Sequence, residues 1–129
     1  MTPLVRKLGL KPGQRVAFLN APAGYRVLVA PLPSGLLEAA PTDADLDFVQ
    51  FFAPDTATLR TEWPRLKARL AKDGMLWICW PKKASKLPTD LTREVVRQIG
   101  LSGGLVDVKV CAIDADWSGL KFVYRTKDR

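Results

Sequence analysis

Six consecutive apolar residues, Met75-Leu-Trp-Ile-Cys-Trp80, constrain this chain more than any other feature. Asp73-Gly74 precedes them and Pro81-Lys82-Lys83 follows, so turn-forming residues close both ends. A strand with one face in water alternates apolar and polar residues, whereas a strand without alternation is covered on both faces. The run is far short of the roughly 18 apolar residues that span a bilayer. It therefore predicts a central, buried strand of a parallel sheet. Parallel neighbours need crossover connections, usually helices, so this one segment already asks for helices packed on a sheet.

The rest of the chain supplies those parts. Arg15–Leu19 is a short strand after the turn Lys11-Pro-Gly13, and Pro22 fits the start of a helix running to about Ala30. Leu36–Glu38 reads as a weak second strand and Phe48–Phe52 as a third. Asp55 then caps a helix with an apolar stripe at Leu59, Trp63, Leu66 and Leu70. Pro64 falls inside it, so a kink or restart is expected near Glu62, with Asp73-Gly74 as the stop. A further helix starts at Thr89-Asp90 and carries Leu91, Val95, Val96 and Ile99. Val106–Ala112 and Leu120–Tyr124 both alternate, apolar at even positions, around a turn at Asp114–Gly119. The order predicts a three-layer α/β Rossmann-like sandwich, mostly parallel and closed by a C-terminal antiparallel hairpin.

At 129 residues the chain has room for one domain, 1–129. Met1–Leu10 holds Arg6 and Lys7 without an apolar stretch behind them, so no signal peptide is expected and the cytoplasm is the expected compartment. The absence of histidine removes Ser-His and Cys-His catalysis, most zinc sites and the commonest general base. No metal site is expected. Cys79 and Cys111 lie in strand segments and read as small buried hydrophobes. The net charge of +7 comes entirely from residues 65–129, which carry fourteen basic and seven acidic side chains; residues 1–64 carry six of each. Such asymmetry fits either an anionic partner or a solvated basic face.

The element order, with its closing hairpin, resembles a shortened class I methyltransferase, from Leu10-Lys-Pro-Gly13 ahead of the first strand to the last strand. In that superfamily an acidic residue near the end of strand two, here Glu38, holds the ribose hydroxyls of S-adenosylmethionine. Two departures stand out. The glycine-rich loop after strand one is replaced by Asn20-Ala-Pro-Ala-Gly24, and the segment between strands two and three is too short for the usual extra helix and strand. Proline removes a backbone donor, so S-adenosylmethionine is not expected as a cofactor. The chain is also similar to a small bacterial family known only as a domain of unknown function. Trp80-Pro-Lys-Lys-Ala-Ser85, Thr89-Asp-Leu91, Gly104-Leu-Val-Asp107 with Lys109, and Trp117-Ser-Gly119 carry that resemblance, which brings no activity with it.

Ligands of open parallel sheets bind beyond the carboxyl ends of the strands. The segments that should meet there are Asn20–Gly24, Ala53–Asp55, Pro81–Lys86 and Asp114–Gly119. Asn20, Lys82, Lys83, Ser85, Trp117 and Ser118 are the candidate binding residues, for a small anionic or phosphorylated ligand. No complete catalytic set is visible, so the expected function is a non-catalytic ligand- or partner-binding module. A divergent S-adenosylmethionine-dependent methyltransferase is the first alternative and a polyanion or nucleic-acid binder the second. The basic run Arg65, Lys67, Arg69, Lys72 lies on the polar face of one helix, and the tryptophans do not interleave with it. Nucleic acid and membrane are therefore not the expected partners. Asp114 and Asp116 read as turn-capping groups rather than a carboxylate pair.

Overall fold

The computed structural model describes residues 3–129. Six strands form one sheet in the order β2-β1-β3-β4-β6-β5. They are β1 (Arg15–Leu19), β2 (Leu37–Glu38), β3 (Leu46–Phe52), β4 (Leu70–Pro81), β5 (Leu105–Ala112) and β6 (Trp117–Tyr124). β2, β1, β3 and β4 run parallel, while β6 is antiparallel to both β4 and β5. Helices α1 (Leu4–Leu8) and α2 (Tyr25–Val29) cover one face, and α3 (Thr56–Arg69) and α4 (Arg93–Ser102) cover the other. This is the layered, mostly parallel α/β architecture that the Met75–Trp80 run requires.

β4 explains the layering. Leu76, Ile78 and Trp80 pack toward α3 and α4, while Trp77 and Cys79 pack toward α1 and α2. Trp77 is fully buried and its indole N–H donates to the Leu8 carbonyl at 2.9 Å, which satisfies the polar atom. Cys79 is buried as expected, and burial pushes its thiol pKa well above the ordinary range. Cys111 departs from expectation, because it lies half-buried on the edge strand β5.

Several local expectations change in the tertiary context. α2 starts at Tyr25 rather than near Pro22, behind a left-handed Gly24 with φ +81°. α3 runs unbroken through Pro64 and then stops at Arg69, four residues before the expected stop at Asp73. Trp63, beside the proline, packs edge-to-face on Phe122 and donates to the Gly103 carbonyl at 3.2 Å. That anchoring offsets the hydrogen bond the proline cannot make. Leu70 then pairs with Leu46, and residues 71–74 bulge before Met75 pairs with Phe48. Only glycine fits at position 74, since a Cβ there would lie 2.6 Å from the Leu46 carbonyl oxygen.

α4 begins after Thr92, whose hydroxyl accepts from the Val95 amide at 3.2 Å. The expected start residue Asp90 instead accepts from the Thr56 amide at 2.8 Å, tying the loop to the start of α3. Those hydrogen bonds hold its carboxyl below the usual range. Asp55 caps α3 as expected, accepting from the Thr58 amide at 2.8 Å. Asp114 also caps its turn, accepting from the Asp116 and Trp117 amides. β5 is the element that differs most from its sequence pattern. A bulge between Asp107 and Lys109 breaks the alternation, and Val108 and Val110 are exposed at 53% and 41%.

Candidate functional site at the strand ends

The chain leaves β1 through Asn20 with a left-handed φ of +57°. Its side-chain amide donates to the Phe52 carbonyl at 2.8 Å, so Asn20 ties the ends of β1 and β3 together. Pro22 and Tyr25 close a turn, Tyr25 N–H donating to the Pro22 carbonyl at 3.1 Å. The amides of Ala21, Ala23 and Gly24 make no backbone hydrogen bond among the described residues, and all three residues are exposed. The loop thus offers backbone donors at the end of the first strand despite its proline.

Beneath it, Gln50 is fully buried and accepts from the Tyr25 hydroxyl at 2.6 Å. Its amide nitrogen lies 3.4 Å from the Cys79 sulfur. Burial raises the Tyr25 pKa, with the neighbouring Cys79 thiol adding to it, so the phenol stays a donor. This network fixes the start of α2 against β3 and β4.

A cavity of about 530 Å³ opens beside the loop. Leu19 and Asn20 from the end of β1, Ala39 and Pro41 after β2, and Phe51 of β3 form one side. The other side is a single stripe of α3, Thr58, Glu62, Arg65, Leu66 and Arg69. Arg69 donates to the Ala40 and Asp43 carbonyls at 2.8 and 2.9 Å, which holds the loop after β2 against the end of α3. Glu62 has Arg65 at 3.6 Å. The space is left because the 39–45 segment is too short to bring a helix over this side of β1 and β2. Its size falls within the range of ordinary ligand pockets, and it runs along α3 from the carboxyl ends of β1 and β3, at Leu19, Asn20 and Phe51, to Arg69 beside the amino end of β4. Glu38 does not line the cavity, although its neighbour Ala39 does. Arg26 holds the Glu38 carboxylate in a two-point ion pair, one arm at 2.9 Å.

The six residues singled out from sequence are distributed rather than gathered. Asn20 lines this cavity, and Lys82 and Lys83 line another of about 470 Å³ with Leu87, Asp90 and Thr92. Trp117 pairs with Pro81 across the sheet, but its ring packs on Phe52 at 5.2 Å, toward α1 and α2. Ser85 accepts from the Leu87 amide at 3.3 Å within its own turn, and Ser118 sits in register between Trp80 and Ala112. Asp116 accepts from the Lys82 amide at 2.7 Å, so the two loops do meet at this edge. Thr58 and Glu62 escaped the sequence reading, and Arg65 and Arg69 entered it only as part of a basic run on a helix face. Their spacing along one helix face was available there as a signal, but nothing local says that this face borders a cavity.

The fold is that of the class I, Rossmann-like methyltransferases. A S-adenosylmethionine-dependent methyltransferase from Aquifex aeolicus superposes with a TM-score of 0.68 at 15% identity, over 92% of this chain and 86% of that one. A ribosomal protein L11 methylase from Lactobacillus delbrueckii subsp. bulgaricus gives 0.65 at 14% identity, over 95% and 75%. Fibrillarin from Aeropyrum pernix, with natively bound S-adenosyl-L-methionine, gives 0.60 at 11% identity, over 95% and 69%. Neither a family model nor a curated protein sequence matches the chain. These neighbours correct two expectations, that of a non-catalytic binding module and that of no S-adenosylmethionine. The proteins sharing the fold favour the methyltransferase alternative, one of them with the cofactor in place. The physical basis of the error is the loop after β1. Pro22 removes one donor, but Ala21, Ala23 and Gly24 keep theirs unpaired.

Proposed function

We propose that this chain binds S-adenosylmethionine at the carboxyl ends of β1, β2 and β3 and acts as a small methyltransferase. The observation that carries the reading is the cavity of about 530 Å³ that reaches those strand ends at Leu19, Asn20 and Phe51, where the chain continues from Asn20 into a loop with unpaired amides. The donor set fits the cofactor. The unpaired amides of Ala21, Ala23 and Gly24, next in the chain after the lining residue Asn20 rather than in the lining themselves, suit a carboxylate. The apolar side chains of Leu19, Phe51 and Leu66 that line the cavity suit a purine ring. Glu62 offers acceptors for hydroxyl groups, and Glu38 retains lone pairs beyond the two that Arg26 uses. When bound, S-adenosylmethionine supplies an electrophilic methyl group on a sulfonium. The chain has no histidine to act as a base, so its contribution is to bind, orient and exclude water from an acceptor that is already nucleophilic. Lys82 and Lys83, which line the neighbouring cavity at the same sheet edge, mark the acceptor side, which suits an anionic acceptor.

Isothermal titration calorimetry with S-adenosylmethionine and with its demethylated product tests the reading. Micromolar binding that Ala39→Phe abolishes, with the melting temperature unchanged, is the expected result. No heat of binding from a folded wild-type protein for either compound would overturn it.

A further inference from the structure

The face of β6 and β5 that α1 and α2 leave uncovered carries an unbalanced cluster of lysines. In the antiparallel register Lys109 lies directly opposite Lys121, a like-charge cross-strand pair that costs stability. Lys7 at the end of α1 and Lys11 in the following turn border the same face. Lys109 donates to the Lys7 carbonyl at 3.0 Å, which holds its stem across the sheet toward α1. Among the described residues none of these four lysines forms an ion pair, and the nearby Asp107 is turned to Arg97 on the opposite face at 3.3 Å. Lys121 is half-buried, and its pKa is lowered by burial first and then by Lys109 and Lys11.

Placing like charges opposite each other without a counter-charge conflicts with every other choice in this well-satisfied fold. Such local conflicts are expected at functional positions. We propose that this open half of the sheet docks the phosphodiester backbone of nucleic acid. Three features select that partner. The surface is a flat strand pair rather than a pocket, which suits an extended polymer. Its cations are lysines with no arginine among them, and lysine meets phosphate as a point charge, whereas carboxylate partners favour the arginine fork. The whole chain carries +7, a long-range field that attracts polyanions. No aromatic ring is presented among the four lysines, so the contact is with the backbone and independent of base sequence. The inference stands apart from the methyltransferase reading, because binding is measured without the cofactor.

The test is fluorescence anisotropy with a labelled oligouridine at several salt concentrations, for the wild type, for K109Q/K121Q, and for the control K67Q/K72Q on α3 and β4. Two lost phosphate contacts should flatten the salt dependence by about 1.4 in log–log slope, equivalent to about 25-fold weaker binding at 0.1 M salt. The control should retain most of the affinity. The melting temperature of K109Q/K121Q should not fall, since a repulsive pair is removed, and this separates loss of a site from loss of fold. Unchanged binding by K109Q/K121Q overturns the proposal. So does an equal loss in K67Q/K72Q, or competition by polyglutamate as strong as that by unlabelled oligouridine.

Discussion

β4 and β5 are parallel strands two places apart in one sheet, yet they obey different rules. From Leu76 to Pro81 every residue of β4 is buried, with helices on both faces and strands on both edges. β5 has one neighbour, α4 over part of one face, and water elsewhere; Val108, Lys109, Val110 and Ala112 are exposed. In β4 each position is dictated by packing, and an apolar side chain is the only stable choice. In β5 packing decides little beyond Leu105, so valines, lysines and a bulge coexist. The bulge also blunts the edge, since a flat exposed apolar strand would pair with other chains. The covered strand holds the fold together, and the open one is free to carry charge for another purpose.

Mutations can break or sharpen that contrast. Trp77→Ala should be the most damaging, at about 3–5 kcal/mol, because it empties a fully buried site and orphans the Leu8 carbonyl. Ile78→Ala follows at about 2–5 kcal/mol. Chemical denaturation measures both, and a loss under 1 kcal/mol at either site would refute the account of β4 as the core strand. Asp55→Ala removes the α3 cap and should cost about 1 kcal/mol. Val108→Thr on β5 should stay within about 0.5 kcal/mol; a larger loss would show that the edge is packed against something.

The smallest effect has the opposite sign. Lys121→Gln should raise the melting temperature slightly at neutral pH, because the native state disfavours the charged lysine. A lowered lysine pKa means that the folded protein binds fewer protons than the unfolded chain between that pKa and the ordinary 10.5. Wild-type stability relative to the variant therefore rises across that window, and the gap between their melting curves should close as the pH approaches 10.5. A gap that widens with pH would remove Lys121 from the frustrated cluster.

Patterns over a few residues determined much of this protein. Unbroken apolarity placed Met75–Trp80 inside the sheet, because only a doubly covered strand can afford it; that its two neighbours are parallel β3 and antiparallel β6 was decided by the topology. Asp55 before an apolar stripe placed the α3 cap, and Asp114 placed a turn, because those side chains act within three residues of themselves. Alternation in Leu120–Tyr124 marked a strand with one face in the core. Tertiary structure decided the rest. α3 survives Pro64 because Trp63 is anchored on Phe122 and Gly103, partners distant in the chain. Asp90 caps another helix for the same reason. The short segment between β2 and β3 already announced a missing helix, but only the packing shows that the gap becomes a cavity along Thr58, Glu62 and Arg69. Lys109 and Lys121 face each other only because the hairpin register, set across a bulge, puts them there. Local sequence fixes what each segment can be, since propensity and capping act over short range. Which side chains share a space depends on register and layer packing, which belong to the whole chain.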